Sequence, residues 1–191
     1  MAIQTFTAGQ ILTAADTNTY LANSGLVYVT SVAITGTPVT FVDVTSCFSS
    51  TYDNYRILYT AKGNGTAAFH SLTFYNGGTP TATGYYINGI SMTSNSATVG
   101  GVAGANGTSF ALGSQQGATD PFYGSLEIMR PFEATQTFIQ VTASTYAGGF
   151  GYNYNLQGVQ NGTTSFTGFR FATPSGSFNT GTITVYGYRK A

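Results

Sequence analysis

The sequence predicts an all-β protein, an antiparallel β-sandwich of jelly-roll-like form with a short helix at its N-terminus. Three observations lead there. After Gly25, runs of β-branched and aromatic residues recur about every ten to fifteen positions, divided by Gly, Pro, Asn and Ser. No stretch in that part carries the apolar spacing of an amphipathic helix. The connections are too short to hold crossover helices, which disfavours parallel pairing.

The helix comes first. Thr13 suits an N-cap, because its hydroxyl can accept a bond from a free backbone N–H at a helix start. Asp16, three residues on, suits the positive end of the helix dipole. Ala14, Ala15, Tyr20, Leu21 and Ala22 continue the turn pattern, and Asn23-Ser24-Gly25 supplies the stop. The chain thus divides into an N-terminal segment, 1–25, and a β-sandwich domain, 26–191.

The first expected strand is Leu26 to Ile34, and the second runs from Val39 to Val44 behind Pro38. Tyr55 to Thr60 and Phe69 to Tyr75 alternate as strands do, with Thr51-Tyr52-Asp53-Asn54 read as a loop before the former. Gly84 to Met92 follows a Gly77-Gly78-Thr79-Pro80 break. From Thr93 to Asp120 small residues dominate, with Val99, Val102, Phe110 and Leu112 the only large apolar anchors; this reads as a mobile loop or two frail strands. Strands resume at Phe122 to Arg130, Thr137 to Ser144, Phe150 to Gln157, Phe166 to Ala172 and Thr182 to Arg189. In Phe150 to Gln157, Tyr152 and Tyr154 share one face, and Asn153 and Asn155 the other.

Composition narrows the function. Charged residues make up 6% of the chain, six basic against six acidic, so no field draws nucleic acid or an anionic membrane. Hydrophobic residues at 42% suffice for a sizeable core. A neutral surface rich in hydroxyl and amide groups costs little charge desolvation on contact, which favours permanent assembly. The one cysteine, Cys47, forbids an internal disulfide and reads as a small buried thiol in a strand. No apolar run is long enough to span a membrane, and the start lacks the pattern of a signal peptide.

Catalytic groups are few. The single histidine, His70, lies mid-strand with no acidic neighbour, and a triad would need Asp43 or Asp53 brought to it by folding; a sheet-face histidine bonded to the next strand is simpler. A glycosidase pair would have to come from Asp16, Asp43, Asp53, Asp120, Glu127 and Glu133. Glu127 and Glu133 flank Arg130 and read as a surface ion pair. Neither Gly100-Gly101-Val102-Ala103-Gly104 nor Gly148-Gly149-Phe150-Gly151 opens a helix or precedes a lysine, so neither suits a phosphate. No calcium loop, metal cluster or cofactor motif is expected, and no enzymatic activity.

The N-terminal text is distinctive: Ala8-Gly9-Gln10-Ile11-Leu12-Thr13-Ala14-Ala15-Asp16, then Asn18-Thr19-Tyr20-Leu21-Ala22-Asn23, then Gly25-Leu26-Val27-Tyr28. It resembles the N-terminal segment of small structural proteins of tailed bacteriophages. Phe48-Ser49-Ser50-Thr51-Tyr52-Asp53-Asn54-Tyr55-Arg56-Ile57 and the ending Gly181-Thr182-Ile183-Thr184-Val185-Tyr186-Gly187-Tyr188-Arg189 are similar to the same family. The resemblance implies a virion protein, assembled in the host cytoplasm, that docks on the particle through its first residues and turns its β-domain outward. Leu12, Asp16, Tyr20 and Leu21 are then the expected anchoring residues.

Two functions follow from one design. A tail fibre or tail-tip protein would use the β-domain to bind a host glycan or protein. A head decoration (cement) protein would seat it on the capsid as a trimer. A glycan depolymerase is a weaker third possibility for want of carboxylates. In both leading cases a homotrimer in contact with other virion proteins is expected, without nucleic acid or membrane insertion. Tyrosine joins an apolar ring to a polar tip, which suits such contacts. The expected contact residues are Tyr85, Tyr86, Tyr146, Tyr152 and Tyr154, all in surroundings rich in glycine or asparagine.

Overall fold

The computed structural model describes residues 7–11, 13, 25–35, 37–64, 68–96, 99–115 and 120–190. Apart from Thr13, the expected helix and the four expected anchoring residues, Leu12, Asp16, Tyr20 and Leu21, lie outside these. The strands are β1 (Leu26–Ile34), β2 (Phe41–Val44), β3 (Tyr52–Gly63), β4 (Ala68–Asn76), β5 (Thr79–Pro80), β6 (Tyr85–Thr93) and β7 (Val99–Gly107). They continue with β8 (Phe110–Gln115), β9 (Pro121–Met129), β10 (Thr137–Ala147), β11 (Phe150–Gln160), β12 (Gly168–Ala172) and β13 (Phe178–Arg189).

Four antiparallel pairs nest inside one another along the chain: β1 with β13, β2 with β12, β3 with β9, and β4 with β8. This is one long eight-stranded hairpin. Rolling it up brings β13 beside β3 and β12 beside β4 as well. The pairs then fall alternately into two sheets, β1-β13-β3-β9 and β2-β12-β4-β8. That is the expected jelly-roll connectivity, and every pairing is antiparallel, as the short connections implied.

Two insertions enlarge one sheet. The β10–β11 hairpin pairs with β9, and the β6–β7 hairpin then pairs with β11. The larger sheet therefore runs β1-β13-β3-β9-β10-β11-β6-β7. The β10–β11 turn is Gly148-Gly149, with φ of 58° and 87°. Two positive φ values in a two-residue loop match the twist of the strands it joins, and glycine adopts them without a Cβ clash.

The core between the sheets is aromatic. Phe48, Tyr55, Phe74, Phe166 and Phe169 pack at one end, with Tyr85 and Phe110 against Phe74. Tyr59, Phe122, Phe171 and Phe178 pack at the other. His70 is buried there, its ring edge-on to Phe122, Phe171 and Phe178. As expected of a sheet histidine, it bonds to the neighbouring strand, through the Gln115 side chain of β8, while Nδ1 has no partner. Burial lowers its pKa from an ordinary 6.5 to about 4, against the opposing pull of Gln115.

Several expectations need correction. Of the two readings of 93–120, a loop or two frail strands, the strands are observed but are not frail: β7 closes the edge of the larger sheet, and β8 carries the fully buried Phe110 and Leu112. Tyr52, Asp53 and Asn54 open β3 instead of forming a loop, because β3 continues along β13 as far as the Arg189–Tyr52 pair. Cys47 is buried as expected, with its thiol pushed up to about 12 by burial, but it lies in the β2–β3 connection. There the Tyr55 hydroxyl accepts from the Ser49 N–H at 2.8 Å and donates to its carbonyl at 3.0 Å, tying the connection to the core.

Candidate binding groove

A groove of about 670 Å³ crosses the outer face of the larger sheet. Strand alternation builds it, since every second residue of each strand points away from the core. Two aligned rows of outward side chains line it. The first row is Thr182, Thr60, Tyr123, Ser144, Asn153 and Met92, contributed in turn by β13, β3, β9, β10, β11 and β6. The second, one pleat along, is Thr184, Leu58, Ser125, Thr142, Asn155 and Ile90 from the same strands.

The groove is uncharged: none of its lining residues is Lys, Arg, Asp, Glu or His. Tyr123 stands 50% exposed near its middle, with Leu58, Ile90 and Met92 also exposed along it. Among the described residues, the side chains of Ser125, Thr142, Ser144, Asn153 and Asn155 make no hydrogen bond within the protein. Their donors and acceptors face outward, unspent.

Beneath the floor, the inward row is Tyr59, Gly124, Ala143 and Tyr154. Both tyrosine hydroxyls donate to backbone carbonyls of β8, Tyr59 to Leu112 at 3.4 Å and Tyr154 to Ser114 at 3.3 Å. Two large rings flank two small residues, and the fit is tight. A Cβ on Gly124 would lie 2.3 Å from the Tyr59 ring and hydroxyl.

The expected contact tyrosines separate into two groups. Tyr85 and Tyr154 are buried, so as surface contacts they are corrected. The Tyr85 hydroxyl accepts the Phe74 N–H at 2.8 Å, and the Tyr154 ring packs against Phe69 and Phe122. Tyr152 is partly buried and packs against the core. Tyr86 and Tyr146 are exposed. Tyr86 lines a smaller depression of about 370 Å³ with Phe138, and Tyr146 stands 64% exposed close to the β10–β11 turn. In β11 the alternation was legible, but the face was inverted: the tyrosines turn inward, and Asn153 and Asn155 face the groove.

Four ion pairs form outside the groove lining. Arg170 holds Asp43 through two bonds of 2.8 and 2.9 Å, reaches the Tyr75 hydroxyl at 2.7 Å, and stacks 3.7 Å above the Phe41 ring. Burial works to raise the Asp43 pKa, but the bonds from Arg170 and Tyr75 and the Arg170 charge outweigh it, leaving it below the usual value. Arg56 pairs with Glu127, which also accepts from the Tyr188 hydroxyl at 2.7 Å. Arg130 pairs with Glu133 as expected, whereas Glu127 turns to Arg56 instead. Lys190 meets Asp53 at 2.6 Å. Among the described residues no three His, Cys, Asp or Glu side chains gather to hold a metal ion.

The chain matches no known family model, and no curated protein matches it.

Proposed function

We propose that this chain is a non-enzymatic structural protein of a tailed bacteriophage virion. Its β-sandwich serves as a receptor-binding head at the tail fibre or tail tip. The observation that carries the proposal is the uncharged groove across six strands of the larger sheet. Such a face suits contact with a partner, since burying it strips water from no ion. It is built on paired strands, so its geometry is fixed before a partner arrives. The N-terminal resemblance supplies the other half, a segment that fixes the head to the particle.

The test is location and competition. Antibody to the protein should label the tail end of purified particles, and the soluble protein should slow their adsorption to host cells. Dense labelling over the head would favour capsid decoration by trimers, and absence from the particle would overturn the virion assignment altogether.

A further inference from the structure

We infer that the groove of the larger sheet binds an uncharged polysaccharide, laid across the strands with one sugar ring on Tyr123. This rests on the β-sandwich being a receptor-binding head, and it gives that head a ligand class.

Shape comes first. The groove spans six adjacent strands, about 24 Å at the ordinary strand spacing, and its volume of about 670 Å³ falls within the range of small-ligand sites. A chain of sugar rings fits such a strip better than one compact molecule does.

Chemistry then selects the occupant. Five groove side chains without a partner among the described residues are three hydroxyls and two amides, Ser125, Thr142, Ser144, Asn153 and Asn155. Each can both give and accept hydrogen bonds, as sugar hydroxyls can, so the two sets satisfy one another in either sense. Tyr123 adds a flat ring whose electron-rich face attracts the slightly positive C–H face of a pyranose. Ile90 and Met92 at the β6 end, and Leu58 at the β3 end, offer apolar contact to the remaining C–H groups.

Charge excludes other ligands. An acidic polysaccharide or a phosphate would meet no cation within the groove lining. Arg56, one pleat beyond one row, is held by Glu127, and the exposed Lys62, one pleat beyond the other, opens onto a separate depression beside Tyr123. A protein partner would seat a large aromatic or arginine anchor in a pocket, whereas here Ser125, Thr142, Ser144, Asn153 and Asn155 set a shallow polar strip between Leu58 and Tyr123 on one side and Ile90 and Met92 on the other. A neutral glycan is the class that matches both the hydrogen bonds and the missing charge.

Titration calorimetry on the full chain tests this, with dextran, mannan, β-glucan and galactan as neutral probes and heparin and polygalacturonate as acidic ones. At least one neutral probe should bind and both acidic ones should not. Tyr123→Ala should weaken binding about tenfold, Tyr123→Phe should restore it, and Asn153→Ala with Asn155→Ala should weaken it further. Circular dichroism would confirm that each variant keeps its strands. The inference falls if no neutral probe binds, if an acidic one binds better, or if Tyr123→Ala changes nothing. It falls equally if Tyr123→Ala alters the number of chains in sedimentation, which would make the groove an interface between copies. Neutral-glycan binding by a chain absent from particles would remove the virion assignment and leave this inference standing. A tail-tip protein that binds none of the neutral probes would do the reverse.

Discussion

His70 shows how one buried group sets the response of this protein to acid. Its pKa falls from 6.5 in the open chain to about 4 in the fold because burial disfavours the imidazolium. Between those values the unfolded chain takes up a proton that the folded one refuses. Stability therefore declines as pH drops from 6.5 to about 4, by on the order of 3 kcal/mol in all. Asp43 acts lower down. Its pKa is depressed, so the stability it contributes is present above the ordinary carboxylate value of 3.8 and is lost as pH falls through its folded value. Replacing His70 with Phe should flatten the denaturation midpoint between pH 6.5 and 4 while leaving the loss below pH 4. An unchanged slope in urea titrations across that window would show that another group carries it. The sequence placed His70 in a sheet, but its aromatic surroundings come from three distant strands, and no local pattern shows them.

At the scale of elements, alternation carried most of the information. β1 was expected at its observed bounds, and β4, β6, β9 and β10 within a few residues of theirs. β8 was missed as a core strand because it is inward-facing or partly covered at every position, so it does not alternate. β7 stayed undecided between loop and frail strand because glycine at positions 100, 101, 104 and 107 leaves little side chain to mark a pleat. The groove itself was hidden for a different reason. With so few charges, neither face of β11 announced itself as the solvent side, and the tyrosines were given the role that Asn153 and Asn155 occupy. Gly124 of β9 is where an element constrains the site above it, since the Tyr59 ring takes the space of any Cβ there. Gly124→Ala should lower stability by about 1–3 kcal/mol through overpacking. Guanidinium unfolding would measure that, and the variant should also lose groove binding, because the displaced ring forces the floor to shift. A variant as stable as the parent would mean that β9 can move aside at no cost.

The whole molecule is a nested hairpin rolled into a jelly roll, with two further hairpins added to one sheet only. That asymmetry leaves the larger sheet with two long edges, β1 on one side and β7 on the other. Edge strands usually carry lysine, proline or another device that discourages pairing with a second chain. β7 has neither lysine nor proline, and β1 has no charged residue at all. Together with a net charge of zero, this favours contact between copies, the arrangement expected from the sequence being a homotrimer. Gly101 and Ala103 are exposed on β7, and a Cβ at Gly101 would meet nothing within 4 Å. Sedimentation of the full chain at micromolar concentration should therefore give three chains. Gly101→Lys combined with Ala103→Lys should give one folded chain, because three copies would then bring six like charges to a neutral seam. A trimer that survives the two lysines must close through other surfaces, and β7 would then be a free edge. If the parent chain is monomeric, the trimer itself is wrong, and the uncharged surface must be explained by the groove and its ligand alone.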